Sequence, residues 1–553
     1  MWSKNNCLRH ESEPEGDSFL NGKKHLFFFL SIVALISFPF LPGCRSQSSA
    51  SRIVIVNGPE PESLDPQVIT GQLEGRIVKA LFEGLTAWNA KGEIIPGVAE
   101  KWDCLENGTL YRFYLRKTFW SNGKPVVADD FVLSWKRALD PMQGSRYADL
   151  LFWIRGAKEY NEGKIKDFSS VGIKAAGDSI LEIKLNCPIP FFPQLVAQPV
   201  FFPLPIDTIK IHGENWIKAG NMVCNGPYLL EEWKINDRII LKKNPNYWSQ
   251  ATIKTKELVL LTTSKASTAF NLFFCGIADI ILDKGLVPTF FIDTISHKPY
   301  FHSSPILATY FYRINTQRKP LNDSRIRRAL AMAIDKSRIV KIITRGGELP
   351  AGSITPPGIA GYISPPGLPY NPDQARSLFS EAGYPGGKGF PPLSILYNSG
   401  ELNEQIATEI QAMWRQNLGI QVGLRNQEWK VYLNSLASLD FDIARSSWVG
   451  DYADPTTFLN LFTKSSPNNE TGWSNDRYEA LLHKAEETVD PVVRFQVLHE
   501  GETILVEEEL PIIPIYFYSG ILLYDPDKIG GIEPNLLDEH PLSKLFLKNH
   551  PTP

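Results

Sequence analysis

Trp448-Val449-Gly450-Asp451-Tyr452-Ala453-Asp454-Pro455 is the stretch whose reading decides what kind of protein this is. Arg445 stands three residues ahead of it, and Gln427-Glu428-Trp429-Lys430 lies a little further upstream. A guanidinium, a carboxylate and two indoles in one short region suit a receptor that holds both ends of a zwitterion between aromatic walls. A carboxylate answers an ammonium, and the planar guanidinium fork matches a ligand carboxylate at two points. This is chemistry for binding rather than for turnover.

Outward from that stretch, short motifs punctuate the chain: Ser63-Leu64-Asp65-Pro66, Leu81-Phe82-Glu83-Gly84-Leu85, Pro96-Gly97-Val98-Ala99-Glu100-Lys101-Trp102, Trp120-Ser121-Asn122-Gly123, Asp129-Asp130-Phe131, Asn225-Gly226-Pro227-Tyr228, Asn244-Pro245-Asn246-Tyr247-Trp248 and Asp323-Ser324-Arg325-Ile326-Arg327-Arg328-Ala329-Leu330. Several read as local structure, not as ligand contacts. Asp323 caps a helix, and Asn225-Gly226-Pro227 and Trp120-Ser121-Asn122-Gly123 are turns.

Between them, strand-like segments (Arg52 to Asn57, Leu110 to Leu115, Ile180 to Leu185, Ile239 to Lys242, Leu393 to Tyr397) alternate with amphipathic stretches. Helices are predicted over Gly75 to Phe82, Ala128 to Ala138, Asp323 to Ile334, Pro372 to Ala382, Glu404 to Asn417 and Asp476 to Glu487. This alternation indicates an α/β protein with mixed sheets. Proline and glycine cluster from Leu349 to Pro372 and from Pro385 to Pro392, where surface loops are expected.

Taken in order, the motifs and the stretch at 448–455 resemble the periplasmic oligopeptide-binding proteins, the solute receptors of ATP-driven peptide permeases, over the chain from about Val54 onward. The resemblance implies a two-lobed periplasmic binding protein fold with an additional domain, closing about a hinge. One lobe would comprise about 51–82, 206–307 and 519–553, with 83–205 as a domain attached to it. The other would comprise about 308–518. The implied ligand is a short peptide held through its backbone, and no cofactor is needed. The implied partners are the transmembrane permease subunits and their cytoplasmic ATPases, with the receptor itself a monomer.

By the same resemblance, Asp451 pairs the ligand's α-ammonium, its alternative being a cap on the turn before Tyr452. Arg445 answers the ligand carboxylate, or else forms a structural salt bridge. Trp429 and Trp448 wall the side-chain pockets while Tyr147 and Tyr518 line the cleft, unless each is simply packing. The chain also departs from the pattern. Arg313 stands where such binders carry an acid, Thr344 and Asn403 stand near positions of basic residues, and Thr70 replaces another acid. This altered charge favours a ligand with an extra carboxylate, such as a murein tripeptide containing γ-linked glutamate and diaminopimelate.

The N-terminal region has the layout of an export signal. Lys23-Lys24-His25 precedes an apolar run of about 15 residues, Leu26 to Phe40, short for a membrane span. Leu41-Pro42-Gly43-Cys44 resembles a lipobox, with Pro42 as a departure. Residues 1–43 are then a removed signal peptide, and lipidated Cys44 holds the receptor at the periplasmic face of the cell membrane; the alternative is an ordinary signal and an unmodified Cys44. The long polar stretch before Lys23 also leaves open a translation start downstream of Met1.

The rest of the chain is too long for one hydrophobic core. With 43% hydrophobic residues, 21% charged and a net charge of −3, nothing points to nucleic acid. Cys104, Cys187, Cys224 and Cys275 match no metal or redox spacing, so they form up to two disulfides or remain free thiols. A secreted hydrolase is the rival class, but no GxSxG, HExxH or phosphate-binding glycine loop occurs and the histidines are scattered. A second rival keeps the fold and changes the cargo to a dipeptide, a nickel complex, haem or a sugar.

Overall fold

The computed structural model describes residues 52–548 except Thr70 and Pro467. The expected leader, Cys44 and the substitution at Thr70 lie outside the described residues.

Helices start where their caps place them. Asp323 accepts the amide of Arg325 at 2.9 Å ahead of helix Ser324–Met332. Asn371 accepts that of Gln374 at 3.1 Å, with Pro372 opening helix Pro372–Glu381. Asn475 does the same for Tyr478 at 3.0 Å ahead of Asp476–Glu487. Each side chain satisfies an amide that has no partner within its helix.

The largest sheet has eleven strands. Two long ones, Phe301–Ile314 and Ile512–Tyr524, run antiparallel through its middle. At one end Ile512–Tyr524 pairs with Ile280–Ile281, which lies beside Arg52–Gly58. At the other, Phe301–Ile314 pairs with Ile443–Val449. Register shifts between Pro305 and Thr309 and between Tyr310 and Phe311 interrupt the pairing between these ends, and such irregularities bend a ladder.

On the Arg52–Gly58 side one apolar core takes in helices Gln72–Leu81 and Ala128–Ala138 together with a separate four-stranded sheet, Ala99–Leu105, Leu110–Leu115, Ile180–Lys184 and Ile173–Ala175. On the other side two cores flank the sheet. Tyr310 and Tyr312 belong to one, and Phe311 to the other, because successive strand residues face opposite ways. The result is the two-lobed mixed α/β architecture expected from the sequence.

Four of the sequence motifs meet at one joint. Buried Glu83 accepts Tyr247 Oη at 2.5 Å and Trp248 Nε1 at 2.6 Å, while its backbone exchanges bonds with the Asn225 amide. Asn244 Nδ2 donates to the Gly226 carbonyl at 2.9 Å, and Asn246 Nδ2 to that of Ser121 at 3.1 Å. Arg116 lies 3.6 Å over the Trp248 ring. These motifs are structural, and none of their residues named here lines the large cavity described below.

Of the two alternatives for Cys104, Cys187, Cys224 and Cys275 the structure has the free thiols, and one expectation is revised. The loop from Leu349 does not lie wholly on the surface: Ser353, Ile354 and Thr355 are buried, and the Glu502 carboxylate accepts the Ile354 and Thr355 amides at 2.9 and 2.7 Å. Two main-chain donors directed at one buried acid draw the loop inward.

At Gly226 a Cβ would come within 2.5 Å of the Leu81 carbonyl carbon and 2.6 Å of the Phe82 nitrogen, both rigid backbone. Gly226→Ala is expected to destabilise the protein by about 2 kcal/mol or more. The measurement is a denaturant melt, and an unchanged midpoint would contradict the close packing of this joint.

Candidate functional site

The strand Ile443–Val449 ends in Gly450 and the loop that carries Asp451. That loop is braced by groups other than the Asp451 carboxylate. Asp454 accepts Thr456 N at 3.1 Å and pairs twice with Arg494, at 2.6 and 2.9 Å, with both residues buried. Thr457 Oγ1 accepts the Asp451 amide at 3.1 Å.

The segment 191–198 meets the loop from the other side. The Tyr452 ring stacks on Phe191 at 4.1 Å and 4°, Gln194 Oε1 accepts Ala453 N at 2.7 Å, and Gln198 Nε2 donates to the Asp451 carbonyl at 2.9 Å. Phe191, Gln194 and Gln198 carry no sequence signal for this role, since contacts more than 250 residues apart in sequence arise only from the fold.

Asp451, Trp448 and Tyr147 line one cavity of about 1540 Å³, together with Asp149, Trp153 and Ser447. Among the described residues, nothing donates to or pairs with the Asp451 carboxylate. Burial, with the negative charge of Asp149 adding to it, pushes that carboxyl up to about 7. Burial and the same two carboxylates push the Tyr147 phenol up to about 12. The expected cap on the turn before Tyr452 is not formed by Asp451; Asp454 and Thr457 hold the turn instead.

Arg445 lies on the opposite face of its strand from Trp448 and does not line this cavity. Its guanidinium carbon is 4.7 Å from the centre of the Tyr310 ring, Nη2 donates to Tyr518 Oη at 3.1 Å and Nη1 to Asn398 Oδ1 at 3.3 Å. Asn403 Nδ2 bonds the Asn398 carbonyl at 3.1 Å, so it too belongs to this group. Nε is buried without a partner, and among the described residues Arg445 forms no ion pair. The structural salt bridge considered as its alternative is therefore not made. A cation ringed by neutral oxygens and phenols remains able to take a carboxylate.

Tyr518 thus joins Arg445 rather than the cavity wall. Trp429 opens helix Trp429–Ala437, is 51% exposed and stacks on Tyr432 at 5.6 Å. It is not among the residues lining the cavity.

Arg313 does not supply the extra positive charge expected in the pocket. It is buried, donates from Nε to Ser446 Oγ at 3.1 Å and from Nη1 to the Asn468 carbonyl at 2.5 Å, and lies 3.6 Å from the Glu470 carboxylate. An arginine sealed from water stays charged, so its burial is costly unless hydrogen bonds and an acid answer it, and here the acid belongs to the chain. Thr344 is also remote from the cavity; it donates to buried Glu348 at 2.8 Å.

With this geometry in hand, the likeness to known proteins is extensive. The profile of the bacterial extracellular solute-binding proteins, family 5 middle, matches residues 93–470. The chain is 35% identical to the oligopeptide-binding protein OppA of Bacillus subtilis (strain 168), covering 86% of this chain and 89% of that one. It is 36% identical to the periplasmic murein peptide-binding protein MppA of Escherichia coli (strain K12), covering 84% and 88%. Among solved structures, a periplasmic oligopeptide-binding protein of Borrelia burgdorferi superposes with a TM-score of 0.78 at 32% identity, over 90% of this chain and 100% of that one.

Because Asp451 takes up its proton far more readily in the fold than at the usual 3.8, its contribution to stability without ligand is complete below about pH 4 and is lost as pH rises to about 7. Asp451→Asn is therefore expected to be more stable relative to the unsubstituted chain at about pH 8 than at about pH 5. Denaturant titrations at the two pH values measure this, and a pH-independent difference would contradict an unpaired buried carboxylate.

Proposed function

Since this chain belongs to the bacterial extracellular solute-binding proteins of family 5, we propose that it captures short peptides between its lobes and passes them to a membrane permease driven by cytoplasmic ATPases. The observation that carries this reading is the Asp451 carboxylate, partly buried in a large cavity without a cation of its own. A peptide α-ammonium supplies that cation, and a pair of opposite charges away from water strengthens as the cleft closes. Arg445, held by Tyr310, Tyr518 and Asn398, supplies the complementary group for a terminal carboxylate.

The names of the Bacillus subtilis and Escherichia coli relatives, oligopeptide-binding and murein peptide-binding, support peptide as the cargo. Members of this family are binding proteins, in keeping with a site built around an unpaired carboxylate and aromatic walls. The pairing of Arg313 with Glu470 favours a general peptide receptor over one adapted to an additional ligand carboxylate.

On this reading the lobes divide at the boundaries given by resemblance: 51–82, 206–307 and 519–553 with the attached domain 83–205, against 308–518. The two long strands form the hinge between them. Residues 1–43 direct export, and acylated Cys44 keeps the monomeric receptor at the membrane near its permease.

Titration calorimetry with a tripeptide tests the proposal. Asp451→Asn is expected to weaken binding by about 30-fold or more, corresponding to roughly 2 kcal/mol for a truncated buried pair. N-acetylation of the peptide is expected to weaken binding to the unsubstituted chain by a similar factor and to have little further effect on the variant. Arg445→Met should reduce discrimination between free and amidated C-termini. Tight, equal binding of acetylated and free peptides would refute the assignment of Asp451. A single murein peptide identified after mild release from the purified protein would replace the general receptor with a dedicated one.

A further inference from the structure

Away from the cavity the molecule exposes a continuous aromatic face. Helix Ala266–Phe274 and the segment 289–292 build it. Phe270 stacks on Phe291 at 4.7 Å and 3°, Phe274 lies 4.4 Å from Phe270, and Phe290 lies 4.4 Å from Phe291. The outer members face solvent: Phe290 is 73% exposed, Ile277 56% and Phe274 47%. Beneath them Ala269, Phe270, Ile292 and Ile295 pack with Val56 and Ile281 of the large sheet, so the face rests on an ordered core. A grouped apolar surface of this kind marks a site of interaction.

We propose that this face rests on the bilayer interface and orients the receptor on the membrane. The proposal depends on the anchoring at Cys44 proposed above. Two bonds of 2.8 Å each join Asp279 to Val54, one from the Asp279 amide to the Val54 carbonyl and one from the Val54 amide to the Asp279 carboxylate. They bring Asp279, two residues after Ile277, against Val54, two residues after Arg52, from which the chain runs back to Cys44. Eight positions separate Arg52 from Cys44, so even fully extended chain holds an acylated terminus within roughly 28 Å of Arg52.

At that range the nearest broad apolar surface available to the face is the lipid. Lys265 and Lys298, exposed beside these segments, add positive charge suited to anionic headgroups, and Asp293 between them is paired with Arg345. Exposed phenylalanines beside cations are the composition of a surface that inserts shallowly while its cations stay in the headgroup layer. None of the face's aromatic residues lines the cavity, so the face is separate from the proposed ligand site.

Hydrogen exchange on tethered protein is the test. The mature chain, with a hexahistidine tag replacing Cys44, is held on vesicles of phosphatidylethanolamine and phosphatidylglycerol containing a nickel-chelating lipid, and compared with the same protein in solution. Amides of 266–277 and 289–297 are expected to exchange about threefold or more slowly on vesicles. Phe290→Ser combined with Ile277→Ser, both at exposed positions, should abolish that difference. Ile363→Ser, at a position 81% exposed and distant in sequence, should leave it intact. Equal exchange in both settings would overturn the proposal. So would protection that appears only on vesicles carrying the permease, which would make the permease the occupant. Because the tag replaces the lipid, neither result depends on processing in the cell. An unacylated Cys44 found by mass spectrometry of the cell-derived N-terminal peptide would sink the anchoring reading without touching the affinity of the face for lipid.

Discussion

A carboxylate largely withdrawn from water must find a cation or take up a proton, and among the described residues the loop after Ile443–Val449 gives Asp451 no cation, so its hold on a proton rises. Much of the surrounding structure keeps that condition in place. Asp454 and Arg494 lock the loop with a buried pair, Thr457 takes the Asp451 amide, and Gln194, Gln198 and Phe191 engage the loop by its backbone and by the Tyr452 ring. These contacts fix the position of Asp451 without using its charge. Arg313 shows the opposite arrangement on a neighbouring strand, where Glu470 and the Asn468 carbonyl answer the guanidinium within the fold and leave it nothing for a ligand.

Arg445 follows the logic of Asp451 in milder form. Phenols and carboxamides hold its guanidinium in a defined geometry, and neutral oxygens compete weakly with a carboxylate for it. Positioning by neutral groups separates the two tasks of a binding residue: being held and being available. The strand carries both charged groups, six positions apart, with Arg445 turned to one face and Asp451 placed beyond the strand's end.

Local features of the fold were legible in the sequence, and distant ones were not. The spans Ala128–Ala138 and Asp476–Glu487 match their predicted limits because cap and apolar period lie within a dozen neighbouring residues. Helix Pro491–Thr503 was missed, as its apolar residues define no single face despite a clear Asp490 cap. The long central strands were also missed, since both are buried along most of their length and so lack alternation. Within the site, Asp451 and Arg445 were visible through resemblance. Their individual surroundings depend on Tyr310, Asn398, Gln194 and Gln198, which only the folded chain brings together. Comparison with the family pattern put the charge of Arg313 in the pocket for the same reason: Glu470, which pairs with it, is distant in sequence and adjacent in space.

Under the proposed function, the contacts between segment 191–198 and the loop at 450–455 also bear on how closure would be coupled to ligand. They are short-range and engage backbone and a ring, so they reward the approach of the two sides whatever occupies the cavity. The same approach deprives Asp451 of water, and burial raises its pKa because the charged form is disfavoured there. Under the proposed function, an ammonium bound there would convert that penalty into a pair, concentrating the free energy of binding in the closed arrangement. A ligand shifts a conformational equilibrium only by its difference in affinity between the two states. A single carboxylate left unsatisfied by the protein is sufficient to generate such a difference for a peptide with a free amino terminus, and gives little of it for a ligand without a cation.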